Sequence, residues 1–317
     1  MIHYDIPVVD PDAWRLRVGG SAGRERSLSL ADLRSMPAQT LAVTLECAGN
    51  GRAGLSPRPV SQPWLLEAVG TAEWTGVPLV RLLDEAGMDD GAVEVLFEGL
   101  DRGFEGGEHQ RYARSLSLTD ARREEVLLAY AMNGQPLPPQ HGFPLRLIVP
   151  GWYGMTSVKW LERITLLDEP FGGYQQAQSY RVRQAPGEAG EAVTRMLPRS
   201  LMVAPGVPDF ATRERRLEPG QCTVRGRAWS GLGAVERVEV SADAGERWSD
   251  ARLGHQPSAW AWRAWEWDWD PREPGAYELC CRATDSAGNQ QPLEAPWNLG
   301  GYCNNSVQRV PVVVGER

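Results

Sequence analysis

Hydrophobic and polar positions in the first half of the chain switch between strand-like and helix-like spacing. TLAVTLEC at 40–47 and AVEVLFEG at 92–99 alternate as half-buried strands do, and PLRLIVPG at 144–151 predicts another strand. PLVRLLDEAGM at 78–88 has apolar residues three to four positions apart and ends at a glycine, which predicts a short amphipathic helix. Many short elements of both kinds favour a mixed α+β domain over repeated βα units.

The pattern changes near residue 183, where VRQAPGEAGEAV is rich in Ala, Gly, Glu and Pro and has no period. We interpret this stretch as a linker. Short alternating segments follow, separated by turn residues: QCTVRGRAW, VERVEVSADAG, WRAWEWDWD, AYELCCRATDSAGN and RVPVVV. This spacing is typical of an all-β sandwich of immunoglobulin-like kind. Since 317 residues exceed the ~250–300 at which one core stops growing, we predict two domains, residues 1–182 and 183–317.

Three tryptophans lie two residues apart in one predicted strand of the second domain. Trp265, Trp267 and Trp269 therefore share one face, while Glu266 and Asp268 point the other way. Two interpretations remain open for this aromatic face. It is either the core of the sandwich or a subunit interface, or it is a platform on which sugars stack.

Charge and hydropathy exclude several classes of partner. The chain has 33 Lys+Arg against 41 Asp+Glu, a formal net charge of −8, so it repels polyanions and we expect no nucleic-acid partner. Its apolar runs fall short of the ~18–20 residues that span a bilayer, so we expect no membrane partner. The start MIHYDIPVVDPD has no export signal, which predicts a cytoplasmic protein, or a periplasmic one if a leader has been removed.

The chain has five cysteines, at positions 47, 222, 280, 281 and 303. Their spacing includes no CxxC, so a disulfide framework or zinc finger is not expected, and buried inert thiols are the default. Cys47 departs from that default because it ends a predicted strand directly before the glycine-rich loop of LECAGNGR, where Arg52 can stabilise a thiolate. A thiolate in such a loop suits either nucleophilic catalysis or a soft metal ion.

A second group of polar residues lies in the segment QHGFPLRLIVPGWYGMTSVKWLERI. Its candidate ligand-binding side chains are His141, Arg146, Ser157 and Lys159. Several donors that converge around one strand and turn indicate a large anionic ligand, and phosphate is an obvious candidate. The sequence contains no GxGxxG or GxxxxGK, so nucleotide binding through those loops has no support.

Six segments form an ordered set along nearly the whole chain. They are ECAGNGR at 46–52, FEGLD at 97–101, LLAYAMNGQPLP at 127–138, HGFPLRLIVPG at 141–151, SVKWL at 157–161 and WNLGGYCNN at 297–305. In order and spacing they resemble the motifs of the sulfite oxidase family of molybdenum enzymes. The resemblance implies a molybdopterin-binding α+β domain followed by an immunoglobulin-like domain that forms a homodimer.

The resemblance also implies roles for single residues. Cys47 matches the thiolate that ligates molybdenum. The positions that hold the pterin and its phosphate are matched by His3, Asp101, His141, Arg146, Ser157, Val158 and Lys159. The positions that line the oxyanion pocket beside the metal are matched by Arg52, Trp64 and Tyr180. The implied cofactor is molybdenum-molybdopterin; without a CxxCH or cytochrome b5-like segment we expect no haem and a separate electron acceptor.

Two positions depart from the family pattern. Met1 and Gly300 stand where the family has substrate-binding arginines. Each charge-assisted contact contributes on the order of 1.5–3 kcal/mol, so an oxyanion held by fewer guanidiniums should bind more weakly. The sequence offers Arg102, Arg111 and Arg181 as replacements.

Three functions are compatible with these residues. The first, which we expect, is oxidation of sulfite to sulfate by oxygen-atom transfer, with electrons passed to an external acceptor. The second keeps the cofactor but reduces a nitrate- or sulfoxide-like donor, which the departure at Gly300 favours. The third is a cofactor-free interaction protein, which the incomplete first motif favours.

Overall fold

A computed structural model of the protein describes residues 2–21, 24–87 and 91–315. The chain is mostly β, with 41% of its residues in strands and 10% in helices. It forms two compact units. The first consists of Met1–Ala48, Val69–Thr194 and Asn298–Tyr302, and the second of Gly49–Ala68, Arg195–Trp297 and Cys303–Arg317.

Short strands and shorter helices make up the first unit. Its strands are β1 (Leu16–Gly20), β2 (Arg26–Leu28), β3 (Gln39–Glu46), β4 (Val69–Pro78), β5 (Glu94–Glu105), β6 (Glu108–Ser117), β7 (Leu127–Met132), β8 (Gln135–Pro136), β9 (Arg146–Ile148), β10 (Leu161–Leu167), β11 (Arg181–Val182) and β12 (Glu191–Ala192). Its helices are α1 (Leu30–Ser35), α2 (Leu79–Ala86), α3 (Leu118–Ala121) and α4 (Tyr174–Ala177), with 3₁₀ turns at Pro139–His141 and Gly154–Thr156.

Two sheets frame the first unit. One has the strand order β2-β1-β10-β5-β6, and the other runs β3-β4-β7-β8, with β9 paired to β7. Strands β1 and β10 are parallel, whereas β5 pairs antiparallel with both β10 and β6. The register of β5 against β6 shifts between Glu98 and Arg102, and this irregularity carries Asp101.

Local sequence explains where these elements begin and end. Helix α1 starts at a capping box in which Ser29 accepts from the amide of Asp32 and the Asp32 side chain accepts from that of Ser29. Helix α2 follows Pro78 and ends at Gly87, whose φ is +69°. The helix predicted at 78–88 is thus confirmed over Leu79–Ala86, and Met88 lies outside the described residues.

Strand content is higher in the first unit than the sequence pattern predicted. The strand predicted at 92–99 continues to Glu105, where the polar segment after residue 100 pairs with β6. Backbone pairing extends this strand beyond its apolar part, which hydrophobic alternation does not detect. The α+β description is therefore not confirmed in its helical part. Among the described residues, no helix is long and apolar enough to cross a membrane.

The second unit is built from strands. They are β13 (Arg199–Val203), β14 (Val207–Pro208), β15 (Arg215–Leu217), β16 (Cys222–Trp229), β17 (Val235–Ser241), β18 (Ser249–Asp250), β19 (Arg252–Leu253), β20 (Arg263–Trp269), β21 (Gly275–Asp285) and β22 (Gln308–Val314). One sheet has the order β13-β16-β20-β19 and the other β14-β15-β22-β21-β17-β18. The unit also includes a 3₁₀ turn at Arg52–Gly54.

Both sheets of the second unit contribute to one apolar core. Val224 and Trp265 come from one sheet, and Val238 and Leu279 from the other. This is the packing of a β-sandwich, as the spacing of the strands predicted.

The tryptophan face of β20 belongs to that core. Trp265 and Trp269 are buried members of the apolar cluster, and Trp267 packs against it. On the opposite face, the carboxylate of Glu266 accepts from Arg225 Nε at 2.8 Å. The core interpretation is therefore confirmed, and the sugar-stacking platform is wrong because the rings face the other sheet.

We expect Gly226→Ala to destabilise the second unit. A Cβ atom at Gly226 would lie 2.2 Å from the buried ring of Trp265 and 2.3 Å from the carbonyl oxygen of Leu201. Overpacking of this kind costs ~1–3 kcal/mol, so the urea midpoint should fall when unfolding is followed by tryptophan fluorescence. Gly275→Ala is the matched control, since the nearest atom to its Cβ is 4.0 Å away. Wild-type stability in both variants would contradict the prediction.

Candidate functional site

Cys47 directly follows β3 in the first unit and is half-buried. The buried Tyr180 lies close enough to Cys47 for the charge of the thiol to act on its hydroxyl. Burial raises the pKa of the Tyr180 hydroxyl well above its usual value, and the charges of Tyr112, Tyr302 and Cys47 raise it further. The structure therefore brings together the two residues that the sequence analysis assigned to the metal and to the oxyanion pocket.

Three tyrosines, Tyr112, Tyr180 and Tyr302, form what we call the tyrosine cluster. The rings of Tyr180 and Tyr302 lie 5.4 Å apart, and the ring of His3 lies 5.0 Å from that of Tyr112. The Tyr112 hydroxyl donates to the carbonyl oxygen of Met155 at 2.7 Å. Burial also raises the pKa of Tyr112, so the phenols of Tyr112 and Tyr180 are neutral at physiological pH.

Arg114 contacts the tyrosine cluster from strand β6. Its side chain is 2% exposed, and its guanidinium carbon lies 5.7 Å from the centre of the Tyr180 ring. One Nη atom donates to the carbonyl oxygen of Gln175, while Nε is buried with no hydrogen-bond partner. Sequence reasoning missed this residue. The sequence held one signal for it: in an alternating strand, Arg114 lies on the same face as Tyr112 and the buried Leu116.

A network around Glu105 fixes His3 near the cluster. His3 Nε2 lies 2.8 Å from Glu105 Oε2, and the Tyr4 hydroxyl donates to the same oxygen at 3.1 Å. Gln175 Nε2 donates to it as well, at 2.7 Å. Burial raises the pKa of Glu105, but the hydrogen bonds from His3 and Gln175 outweigh burial and lower it. Glu105 is therefore an ionised anchor for the imidazole.

Three basic side chains of the first unit, His141, Arg146 and Lys159, form what we call the basic cluster. His141 ends a 3₁₀ turn, Arg146 begins β9, and Lys159 precedes β10. Gly142 allows their close approach, because a Cβ there would lie 2.9 Å from Cβ of Lys159 and 3.1 Å from Cβ of Arg146. Its φ of +104° also favours glycine.

The side chains of the basic cluster repel one another. Burial lowers the pKa of Arg146 to about 9, and burial together with the charge of Arg146 lowers the pKa of Lys159 to about 8. Burial and both of these cations also lower the pKa of His141. Arg146 is 6% exposed; it donates to the carbonyl oxygens of His141 at 3.0 Å and Ser157 at 3.3 Å, and its Nε has no partner. An anionic ligand would relieve this repulsion.

Asp101 adds a buried acceptor to the same unit. The residue is 2% exposed, and its Oδ1 has no hydrogen-bond partner. Burial raises its pKa to about 7, against the opposing charge of Lys159. Such an atom fits a ligand that offers an N–H donor.

The two remaining predicted cofactor residues lie between β9 and β10. Ser157 Oγ accepts from the amide of Val149 at 3.1 Å. Val158 is buried, and its carbonyl oxygen accepts from the amide of Leu147 at 2.8 Å. These contacts hold the segment that carries Lys159.

Arg52 and Trp64 lie in the second unit. Arg52 is buried, and its Nη1 donates to the carbonyl oxygen of Gln62 at 3.1 Å. The Trp64 side chain is 36% exposed, and its carbonyl oxygen accepts from the amide of Ala53 at 3.0 Å. The structure thus groups seven of the predicted cofactor residues with Cys47 and Tyr180 in the first unit, and these two in the second.

Two of the arginines proposed to replace the missing family arginines have other partners. Arg111 forms an ion pair with Glu162, and Arg181 Nη2 donates to the carbonyl oxygen of Gly190 at 2.6 Å. These contacts do not favour a role for either guanidinium in substrate binding, and that role stays a prediction. Met1 lies outside the described residues.

Comparison with known proteins identifies both halves of the chain. Residues 3–175 match the family described as the oxidoreductase molybdopterin binding domain. Residues 193–315 match the Mo-co oxidoreductase dimerisation domain.

Similar proteins of known name cover nearly the whole chain. Mitochondrial sulfite oxidase of Mus musculus is 39% identical over 98% of this chain and 60% of that protein, and sulfite oxidase of Gallus gallus is 40% identical over 97% and 70%. The solved structure of the sulfane dehydrogenase SoxCD from Paracoccus pantotrophus aligns with a TM-score of 0.83 and 28% identity, covering 96% of this chain and 76% of that one. The chain spans about 60% of the length of the mammalian relatives it matches.

We expect Asp101→Asn to stabilise the cofactor-free protein at high pH. The pKa of Asp101 is raised from 3.8 to about 7, so its carboxyl favours the folded state below pH 4, and this contribution is lost as pH rises to 7. Asparagine keeps the shape without the charge, so the variant should gain up to about 4 kcal/mol over wild type above pH 7. Urea unfolding between pH 5 and 8 measures the difference.

The exposed Asp12 provides the matched control for this measurement. Asp12→Asn should follow the wild-type stability at every pH. An Asp101→Asn effect of the same size at pH 5 and pH 8 would contradict the buried carboxyl as its cause.

Proposed function

Since the chain belongs to the sulfite oxidase family of molybdopterin-dependent oxidoreductases, we propose that it oxidises sulfite to sulfate by oxygen-atom transfer and passes the electrons to a separate acceptor. The observation that carries this proposal is the basic cluster, in which buried Arg146 keeps an Nε without a partner beside the cation of Lys159 and the imidazole of His141. A large anionic cofactor satisfies that arrangement. Reduction of a nitrate- or sulfoxide-like donor is the second candidate, favoured by Gly300 in place of an arginine.

The residues of the first unit fit the implied cofactor. The basic cluster and Ser157 offer cations and a hydroxyl to a phosphate, and Asp101 Oδ1 offers an acceptor to a pterin N–H. A side chain at position 142 would clash with the Cβ atoms of Arg146 and Lys159, so the glycine lets these two residues lie close enough to contact the same ligand. His3, anchored by Glu105, is proposed as a further pterin contact.

Cys47 is proposed as the thiolate ligand of the metal. When bound, the molybdenum cofactor supplies the two-electron oxygen-atom transfer itself. The protein places a soft ligand at the end of a strand, in the surroundings of the buried Tyr180 hydroxyl. That hydroxyl can offer a donor to an oxyanion. The substrate roles of Arg52 and Trp64 rest on the family resemblance.

Oligomerisation and domain organisation complete the proposal. The match to a dimerisation domain supports a homodimer formed by the second, immunoglobulin-like domain at residues 183–317. The boundary between residues 182 and 183 is supported by the interval at 176–192 that separates the two family matches. Family membership does not support a cofactor-free interaction protein.

Purified holoprotein from a host that makes molybdopterin tests the function. We expect about one molybdenum per chain, and sulfite-dependent reduction of ferricyanide that exceeds any nitrate or sulfoxide reduction with a reduced viologen dye. Faster turnover of nitrate or sulfoxide would favour the second candidate. Protein that contains no molybdenum would contradict both.

Cys47→Ser tests the proposed metal ligand. A hydroxyl is a poor ligand for a soft site, so we expect sulfite turnover to fall on the order of 100-fold or more and the visible thiolate absorption to disappear. Pterin content should be retained, because the basic cluster is intact. Cys222→Ser, a half-buried thiol of the second unit, is the control and should keep both activity and spectrum. An unchanged spectrum in Cys47→Ser would overturn the assignment.

A further inference from the structure

Arg114 is a buried cation for which the described residues provide no counter-charge. The charges that act on it are those of Tyr112, Tyr180 and Tyr302, and burial lowers its pKa. Phenols are uncharged near pH 7, so tyrosines cannot serve as its counter-charge. A guanidinium in such a place requires an anion to offset the loss of its hydration.

Among the described residues, neither Glu105 nor Asp101 acts as a counter-charge to Arg114. Glu105 accepts from His3, Tyr4 and Gln175, and the charge that acts on Asp101 from the cationic side is that of Lys159. One Nη of Arg114 donates to the backbone of Gln175, but this carbonyl is uncharged, and Nε remains without a partner. The arginine therefore keeps both its charge and an unused donor.

Gly300 leaves room for the Tyr302 ring. A Cβ at this position would lie 2.5 Å from the ring of Tyr302, so a side chain there would displace the ring. With glycine, Tyr302 packs against Tyr180 at 5.4 Å, on the same tyrosine that Arg114 contacts. The residue that departs from the family arginine thus makes room for the aromatic wall of the Arg114 site.

We propose that Arg114 binds the oxyanion substrate beside Cys47, replacing the guanidinium that the family pattern places at the position of Gly300. This inference rests on the proposed function and names the residue that determines anion affinity. The guanidinium carbon of Arg114 lies 5.7 Å from the centre of the Tyr180 ring, and the charge of Cys47 raises the pKa of the same tyrosine, so both residues belong to the surroundings of Tyr180. A small oxyanion such as sulfite or sulfate would receive Nε–H from Arg114 and a hydroxyl donor from Tyr180.

Arg114→Met in the holoenzyme tests the proposal. We expect the KM for sulfite and the dissociation constant of sulfate, measured by calorimetry, to rise about 10- to 100-fold, with kcat changed far less. Arg114→Lys should recover part of the sulfate affinity, because it retains charge without the planar fork. Arg111→Met is the matched control. It removes a guanidinium from the same strand whose charge is paired with Glu162, and sulfate affinity should stay at the wild-type value.

A crystal of the wild-type holoenzyme soaked in selenate provides a measurement that does not depend on variant folding. Selenium density within hydrogen-bond distance of the Arg114 guanidinium supports the proposal. Density at other residues alone, or none at Arg114, overturns it. Sulfate affinity of Arg114→Met within twofold of wild type also overturns it and leaves Arg114 with the structural task of holding Gln175.

Failure of this inference is distinct from failure of the proposed function. Sulfite turnover by wild type with unaltered anion affinity in Arg114→Met would remove Arg114 and keep the function. Sulfate binding that depends on Arg114 in a protein without sulfite turnover would do the reverse.

Discussion

Buried positive charge is the constraint on which the site depends. Arg114 and Arg146 are both almost fully removed from water, and removal of a guanidinium from water costs several kcal/mol unless charge and hydrogen bonds offset it. The fold supplies carbonyl oxygens to both, from Gln175 to the first and from His141 and Ser157 to the second. Carbonyls satisfy donors but leave the net charge in place. The remaining imbalance is the free energy that anionic ligands recover on binding, so the protein without ligands is held in a costly state.

Much of this architecture could be predicted from local sequence. Alternation placed β3 and the strands of the sandwich, and the 3.6-residue period placed α2, because these elements bury one face against a core. Cys47 and the basic cluster were also accessible, since the thiol adjoins a glycine loop and His141, Arg146 and Lys159 lie within one short segment. Residues that act through close neighbours in the chain leave a pattern that can be read without coordinates.

The sequence gives only a weak signal for Arg114, for the opposite reason. Its partners come from distant parts of the chain, with Gln175 and Tyr180 beyond β10 and Tyr302 near the end. For the same reason the sequence does not reveal the ion pair between Arg111 and Glu162 of β10. Whether an arginine is paired or uncompensated depends on sheet pairing and register, and the register of β5 against β6 contains an irregularity that no propensity indicates.

Arg114 and Gly300 are connected through the packed rings of Tyr180 and Tyr302. A guanidinium carried by a strand is held by backbone pairing on the ladder, so its direction is better fixed than that of one carried by an irregular segment. With the guanidinium on β6, the irregular segment at 298–302 supplies the ring of Tyr302, and the position of this ring requires a glycine at 300. A side chain at position 300 would displace the ring of Tyr302, which packs against the Tyr180 ring that Arg114 contacts. In this proposal Arg114 takes the place of the family arginine that is missing at position 300, so the site keeps a cation for an anionic substrate.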